Sequence, residues 1–158
     1  MIRDKIDSNI EFLSLLSTRY PWIPNNESIR PSVAELRRKI ELMASLAASE
    51  ISLSDFVRGN IFLDTLASWI FVPSSFRYNL PEGAEHYVLW NQYADFAADF
   101  DTRLVNETIN GFLRGVVGND EYDFAWYKNP KPSVYEFWHV QVFWTRLSAS
   151  PMDSNRCL

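Results

Sequence analysis

The chain has 158 residues, which at roughly 100–200 residues per domain leaves room for one core and excludes a second full domain. Hydrophobic residues make up 47% and charged residues 22%, which excludes the sparse, highly charged composition of a disordered chain. A formal charge of −5 excludes a protein that binds nucleic acid by neutralising its phosphates, because that needs clustered Lys and Arg.

In chain order, the segment Met1 to Asp7 alternates charges with isolated Ile residues and lacks the continuous apolar core of a signal peptide. No stretch reaches 18 apolar residues, so a cytoplasmic location without a membrane partner is expected. Ile2, Ile6, Ile10, Leu13 and Leu16 recur at helical spacing, and Pro21 and Pro24 end that helix. Ser32 precedes Glu35 by three positions, the spacing of a capping box, so a second helix starts near Val33. Val33, Leu36, Ile40, Met43 and Leu46 are its expected buried stripe. Two further helical segments, about Ser54 to Arg58 and Ile61 to Phe71, flank Gly59-Asn60, read as a left-handed turn.

The period changes in the second half. His86 to Trp90, Asp123 to Tyr127 and Trp138 to Trp144 are rich in aromatic and β-branched residues and read as three strands. Between the first two, Leu104, Ile109, Phe112, Leu113 and Val116 restore a helical stripe over 101–117, stopped by Gly118. Pro130-Lys131-Pro132 marks a rigid loop, since proline cannot donate ladder hydrogen bonds. The expected fold is α+β: one domain over 1–150, with helices in 1–72 packed on a small antiparallel sheet formed within 76–147, and a flexible tail over 151–158.

The chain contains two histidines, His86 and His139, and each opens a run in an expected strand. Side chains alternate across a strand, so His86 shares a face with Val88 and Trp90, and His139 shares one with Gln141 and Phe143. In neighbouring strands the two imidazoles can face each other, and an acid and a base, or a nucleophile, for phosphoryl transfer results. The competing explanation is that both are structural residues with satisfied rings.

Polar groups near them in sequence could orient a phosphate: Arg77 and Tyr78 before the first strand, Lys128 and Asn129 after the second, Glu136 and Gln141 about the third. Trp90 joins this ligand-binding set through the face it shares with His86. Asp95 and Asp99 lie four apart, spaced for a hard cation on a short helix, but solvated carboxylates explain them better. No H-x-x-x-H or H-x-H spacing occurs, and Cys157 is the single cysteine, so no disulfide, metal or cofactor is expected. G-x-S-x-G, P-loop and G-x-G-x-x-G motifs are absent.

The run Tyr78 to Trp90, then Trp126-Tyr127-Lys128-Asn129-Pro130, then Ser133-Val134 and His139 to Phe143, resembles a eukaryotic and viral family that includes the fungal N-acetylglucosamine-induced proteins. The resemblance covers about the last half of the chain, with a looser echo around Pro31 to Phe56. Positions matching its pattern are Gly83, His86, Trp90, Trp126, Asn129, Ser133, Val134, His139 and Val142, while Gln141 stands where a second closing histidine is expected. His139-Val140-Gln141 is also similar, more weakly, to the closing motif of histidine-triad nucleotide hydrolases and transferases, its His-x-Gln order to that of hexose-1-phosphate uridylyltransferases. The two-histidine phosphoesterases fit less well, since Val88 and Gln141 replace the hydroxyl residues they require.

The functional expectation is therefore a two-histidine pocket that binds, and hydrolyses or transfers, a nucleotide, sugar nucleotide or other phosphorylated small molecule. The alternative is a non-catalytic module that meets a protein partner through exposed rings, with Trp22, Trp138 and Trp144 as anchors.

Overall fold

A computed structural model describes residues 15–24, 27–130 and 132–147. The described part of the first helix, α1, spans residues 15–19; Ile2 to Leu13 of its expected stripe, Lys131 and the 151–158 tail lie outside the described residues. After a 3-10 turn at Glu27–Ile29 come α2 (Val33–Ala48) and the short α3 (Leu53–Val57). Strands β1 (Trp69–Pro73), β2 (Ala84–Asn91), β3 (Tyr122–Tyr127) and β4 (Trp138–Arg146) follow, with α4 (Thr102–Val117) between β2 and β3. The fold is α+β.

The four strands form one antiparallel sheet in the order β1-β2-β4-β3. Because side chains alternate, the register sorts them onto two faces. Tyr87, Leu89, Trp138, Val140 and Val142 meet the buried stripe of α4, Val105, Ile109, Leu113 and Val117. Ile70, His86, Val88, Trp90, His139, Gln141 and Phe143 share the opposite face, where Val57, Phe62, Val134 and Phe137 pack at one end and Ile23 and Ile29 at the other. Both faces are covered, so Trp138 and Trp144 are buried rather than exposed anchors, and Trp22 is half-buried with its indole N–H donating to Asp123.

Several expectations are corrected. Three strands become four: Ile61 to Phe71 is not a helix but the end of a π-helical turn (Arg58–Phe62), a loop, and the start of β1. Gly59 and Asn60 lie inside that turn, and the left-handed residues are Leu63 and Asp64, at φ 49° and 60°. Asp95 and Asp99 are not on a helix; the Asp95 carboxylate accepts the Ala97 N–H at 2.8 Å and closes a local turn.

Helix α2 starts where expected, but only half of its capping box is made. Ser32 Oγ accepts the Glu35 N–H at 3.2 Å, while the Glu35 carboxylate turns outward to Arg38 at 2.9 Å. Ser32→Ala should therefore lower stability by about 1 kcal/mol, read as a shifted urea midpoint with an unchanged slope; no shift would show that the cap contributes nothing. The buried stripe is also rotated. Val33 and Ile40 are 72% and 55% exposed, and the side facing the sheet runs through Lys39, Leu42, Met43 and Leu46, spaced i, i+3, i+4, i+7.

No helix among the described residues is long and apolar enough to cross a membrane. Nor do three His, Cys, Asp or Glu side chains among them gather as a metal site requires.

Candidate functional site

Between α2, α3 and the sheet face bearing both histidines lies a cavity of about 170 Å³. Strand pairing builds its floor. His139 on β4 sits opposite Trp90 on β2, Gln141 opposite Val88, and Phe143 opposite His86. The histidines therefore share a face of adjacent strands, but four residues separate their rungs, roughly 13 Å along the strand at about 3.3 Å per residue. They do not form a facing acid–base pair. Gln141 occupies the rung between them.

Each ring's tautomer follows from its partners. The Tyr78 backbone N–H donates to His86 Nδ1 at 3.1 Å. An accepting Nδ1 leaves the proton on Nε2, which donates to Gln141 Oε1 at 2.7 Å. Both nitrogens of His86 are thus engaged, and the bond orients the Gln141 amide so that its NH2 group is left to donate. His139 is set the other way: its Nδ1–H donates to the Phe137 carbonyl at 3.0 Å, leaving an accepting lone pair on Nε2. The His139 ring is stacked on Trp90 (centroids 4.5 Å apart, 28° between planes) with Phe96 at 5.1 Å.

Neither His139 Nε2 nor the Gln141 NH2 group has a protein partner among the described residues, and neither is among the sealed, unbonded nitrogens, which include the Trp90 and Trp144 indole N–H groups. Both residues line the cavity, so these two atoms are its open polar groups. Elsewhere in the wall Tyr78 meets the Tyr127 hydroxyl at 3.2 Å, Asn129 and Ser133 have partners within the protein, and the Trp90 indole N–H is sealed without one.

Burial dominates the electrostatics. His86 is 2% and His139 6% exposed, and desolvation of the charged ring lowers each pKa from 6.5 to about 4. The bonds to Gln141 and to the Phe137 carbonyl oppose that shift, and the charges of Arg77 and Lys128 add to it. Both imidazoles are neutral at pH 7, so His139 Nε2 offers a lone pair rather than a proton.

The candidate ligand set divides. Tyr78, His86, Trp90, Asn129, His139 and Gln141 all line the cavity. Lys128 does not: its Nζ donates to the Ala98 carbonyl at 3.2 Å and lies over the Phe96 and Trp138 rings. Arg77 pairs with Glu85 at 3.7 Å on the surface, and Glu136 is exposed away from the cavity. Closeness in sequence to a histidine does not carry these side chains to its face. The residues missed are Lys39 on α2 and Ser74 and Ser75 just past β1, all lining the cavity, with the Ser74 backbone N–H donating to the His86 carbonyl at 2.9 Å. For Lys39 a signal existed, since the Lys39-Leu42-Met43-Leu46 spacing marks a helix face as well as the stripe chosen.

No protein-family model matches the chain, and no curated protein matches it. Among solved structures, the chain is similar to a crystal structure of HTC1, at 14% identity and a TM-score of 0.48, covering 96% of this chain and 89% of that one.

Proposed function

We propose that this protein binds a compact phosphorylated small molecule in the histidine-lined cavity, with His139 Nε2 as the acceptor, or base, at its floor. The observation that carries this reading is a lone pair on His139 and an amide NH2 on Gln141, both facing one cavity and both held in orientation by bonds behind them. Buried polar groups normally find partners, so an unpartnered donor and acceptor beside a cavity point to a ligand that supplies them.

Size and charge narrow the class. A space of about 170 Å³ falls below the usual range of about 300–1,000 Å³ for drug-sized ligands, which disfavours a whole nucleotide or sugar nucleotide. The floor depresses charge, as its neutral histidines show, so a phosphate does not belong there. Lys39, Ser74 and Ser75 line the more exposed wall and suit an anion, with the organic part directed inward. In this arrangement His86 is a positioning residue, acting through Gln141 rather than on the ligand.

The suggested family resemblance is consistent with such a site, because six of its nine positions, His86, Trp90, Asn129, Ser133, Val134 and His139, line the cavity. A protein partner held by Trp138 and Trp144 loses its basis, as both rings are buried.

Thermal shift against phosphosugars, nucleotides and sugar nucleotides tests the proposal. A ligand at about 100 times its Kd stabilises by about 2.7 kcal/mol, a rise of several degrees for a domain of this size. The expected result is a rise with small phosphate esters that shrinks in Lys39→Ala and disappears in His139→Ala. A flat panel, or a rise unchanged in both variants, would sink the reading.

A further inference from the structure

We infer that the part of the ligand reaching the cavity floor is an uncharged, flat ring carrying one carbonyl and one adjacent N–H, the edge of a cyclic amide, read by Gln141 and His139. This deepens the reading above and rests on it.

The open groups of the floor are complementary in kind and few in number. Gln141 presents its NH2 donors to the cavity, because its Oε1 is turned to His86 Nε2–H. His139 presents an acceptor only, because its proton is held on Nδ1 by the Phe137 carbonyl. They are neighbours on one face of β4, two residues or roughly 7 Å apart along the strand, so one ligand edge can meet both. A carbonyl answers the amide NH2, and an N–H answers the imidazole lone pair.

The walls say what the rest of the ring must be. Leu42, Met43, Phe56, Ile61, Val72 and Val134 line the cavity around that polar pair. A ring with hydroxyls around its whole rim, as in a sugar, would turn several of them toward these side chains and leave them unbonded, which is costly in a buried site. An aromatic lactam places all its polar atoms on one edge and offers apolar faces elsewhere. A carboxylate or phosphate at the floor is disfavoured for the same reason, since no cationic side chain among the described residues reaches it: Lys128 is tied to Ala98 outside the cavity, and Lys39 lies across from the histidine face.

The test uses the full chain and ligand-side controls, so it needs no variant that could fail to fold. Binding of 2-pyridone, N-methyl-2-pyridone, benzene and glucose 6-phosphate is measured by calorimetry, and imidazole ¹⁵N shifts are followed in the same titrations. The expected result is that 2-pyridone binds at least tenfold more tightly than N-methyl-2-pyridone, which keeps the carbonyl but lacks the donor, and than benzene, which keeps only the shape. It should also move His139 Nε2 upfield from its free, unprotonated position and leave His86 still. Equal affinity for 2-pyridone and its N-methyl analogue overturns the assignment to His139, and equal affinity for benzene overturns a polar reading of the floor altogether. If glucose 6-phosphate binds and 2-pyridone does not, the cyclic-amide head is wrong while the phosphorylated-ligand proposal survives. Should none of the four bind, both fall.

Discussion

Between pH 7 and pH 5 the folded state should lose about 4 kcal/mol of stability through its two histidines. Each ring has a folded-state pKa of about 4 against 6.5 when solvated. In that window the unfolded chain binds more protons than the folded one, so stability rises with pH and is lost as pH falls from 6.5 towards 4. At pH 5 each histidine accounts for about 2 kcal/mol of the loss, out of a limit of about 3.4 kcal/mol for a shift of roughly 2.5 units. The physical origin is the same for both: a charged imidazolium would sit against Trp90 and Phe96, or against Tyr78 and Phe143. Urea denaturation at several pH values measures the effect. In His139→Gln, which cannot titrate, the loss between pH 7 and 5 should be smaller by about half. A variant curve parallel to that of the unaltered protein would show that His139 does not titrate between those limits.

Phe143→Ala should cost about 4 kcal/mol, the range typical of deleting a fully buried phenyl ring. Phe143 is 0% exposed and lies in the inner strand β4, with the His86 ring at 4.9 Å, Tyr78 at 5.9 Å and Tyr127 at 6.0 Å. Sheet and surrounding helices hold these neighbours from both sides, so the space left by the ring cannot collapse fully. Against a typical total of about 5–15 kcal/mol this is a large fraction. A midpoint shift worth less than about 1 kcal/mol would mean that the neighbours close the gap, contrary to the packing described.

Much of this architecture was legible in the chain because the relevant signals are local. The Ser32 cap, the aromatic runs of β2, β3 and β4 and the helical period of α4 each depend on residues a few positions apart, although the α4 stripe is turned by one residue: Leu104 and Val116 are exposed, and Val105 and Val117 are buried beside Ile109 and Leu113. Strand β1 escaped for a physical reason. Trp69 and Phe71 pack toward α4 and Ile70 and Val72 toward the other layer, so every position is apolar and the two-residue alternation that identifies a half-buried strand vanishes. Alternation within each strand identified the face-mates of each histidine, but that both share one face depends on the register of β2 against β4. Their separation did not, because only the pairing of Trp90 with His139 reveals that a rung occupied by Gln141 lies between. Lys128 and Arg77 misled for the converse reason: they are near the histidines in sequence but leave the strands before reaching their face.

The strand order has a consequence for how the protein is made. β4 is the inner strand that holds both β2 and β3, yet among the described residues it is the last strand. While the polypeptide emerges from the ribosome, β1 and β2 can pair as a hairpin, but β3 has nothing to join until β4 arrives. A two-stranded ribbon is marginal alone in water, so the sheet, and with it the apolar seat for α4, assembles late and largely at once. The apolar surfaces of β2 and α4 are therefore open to other chains during translation, the interval in which aggregation competes most with folding.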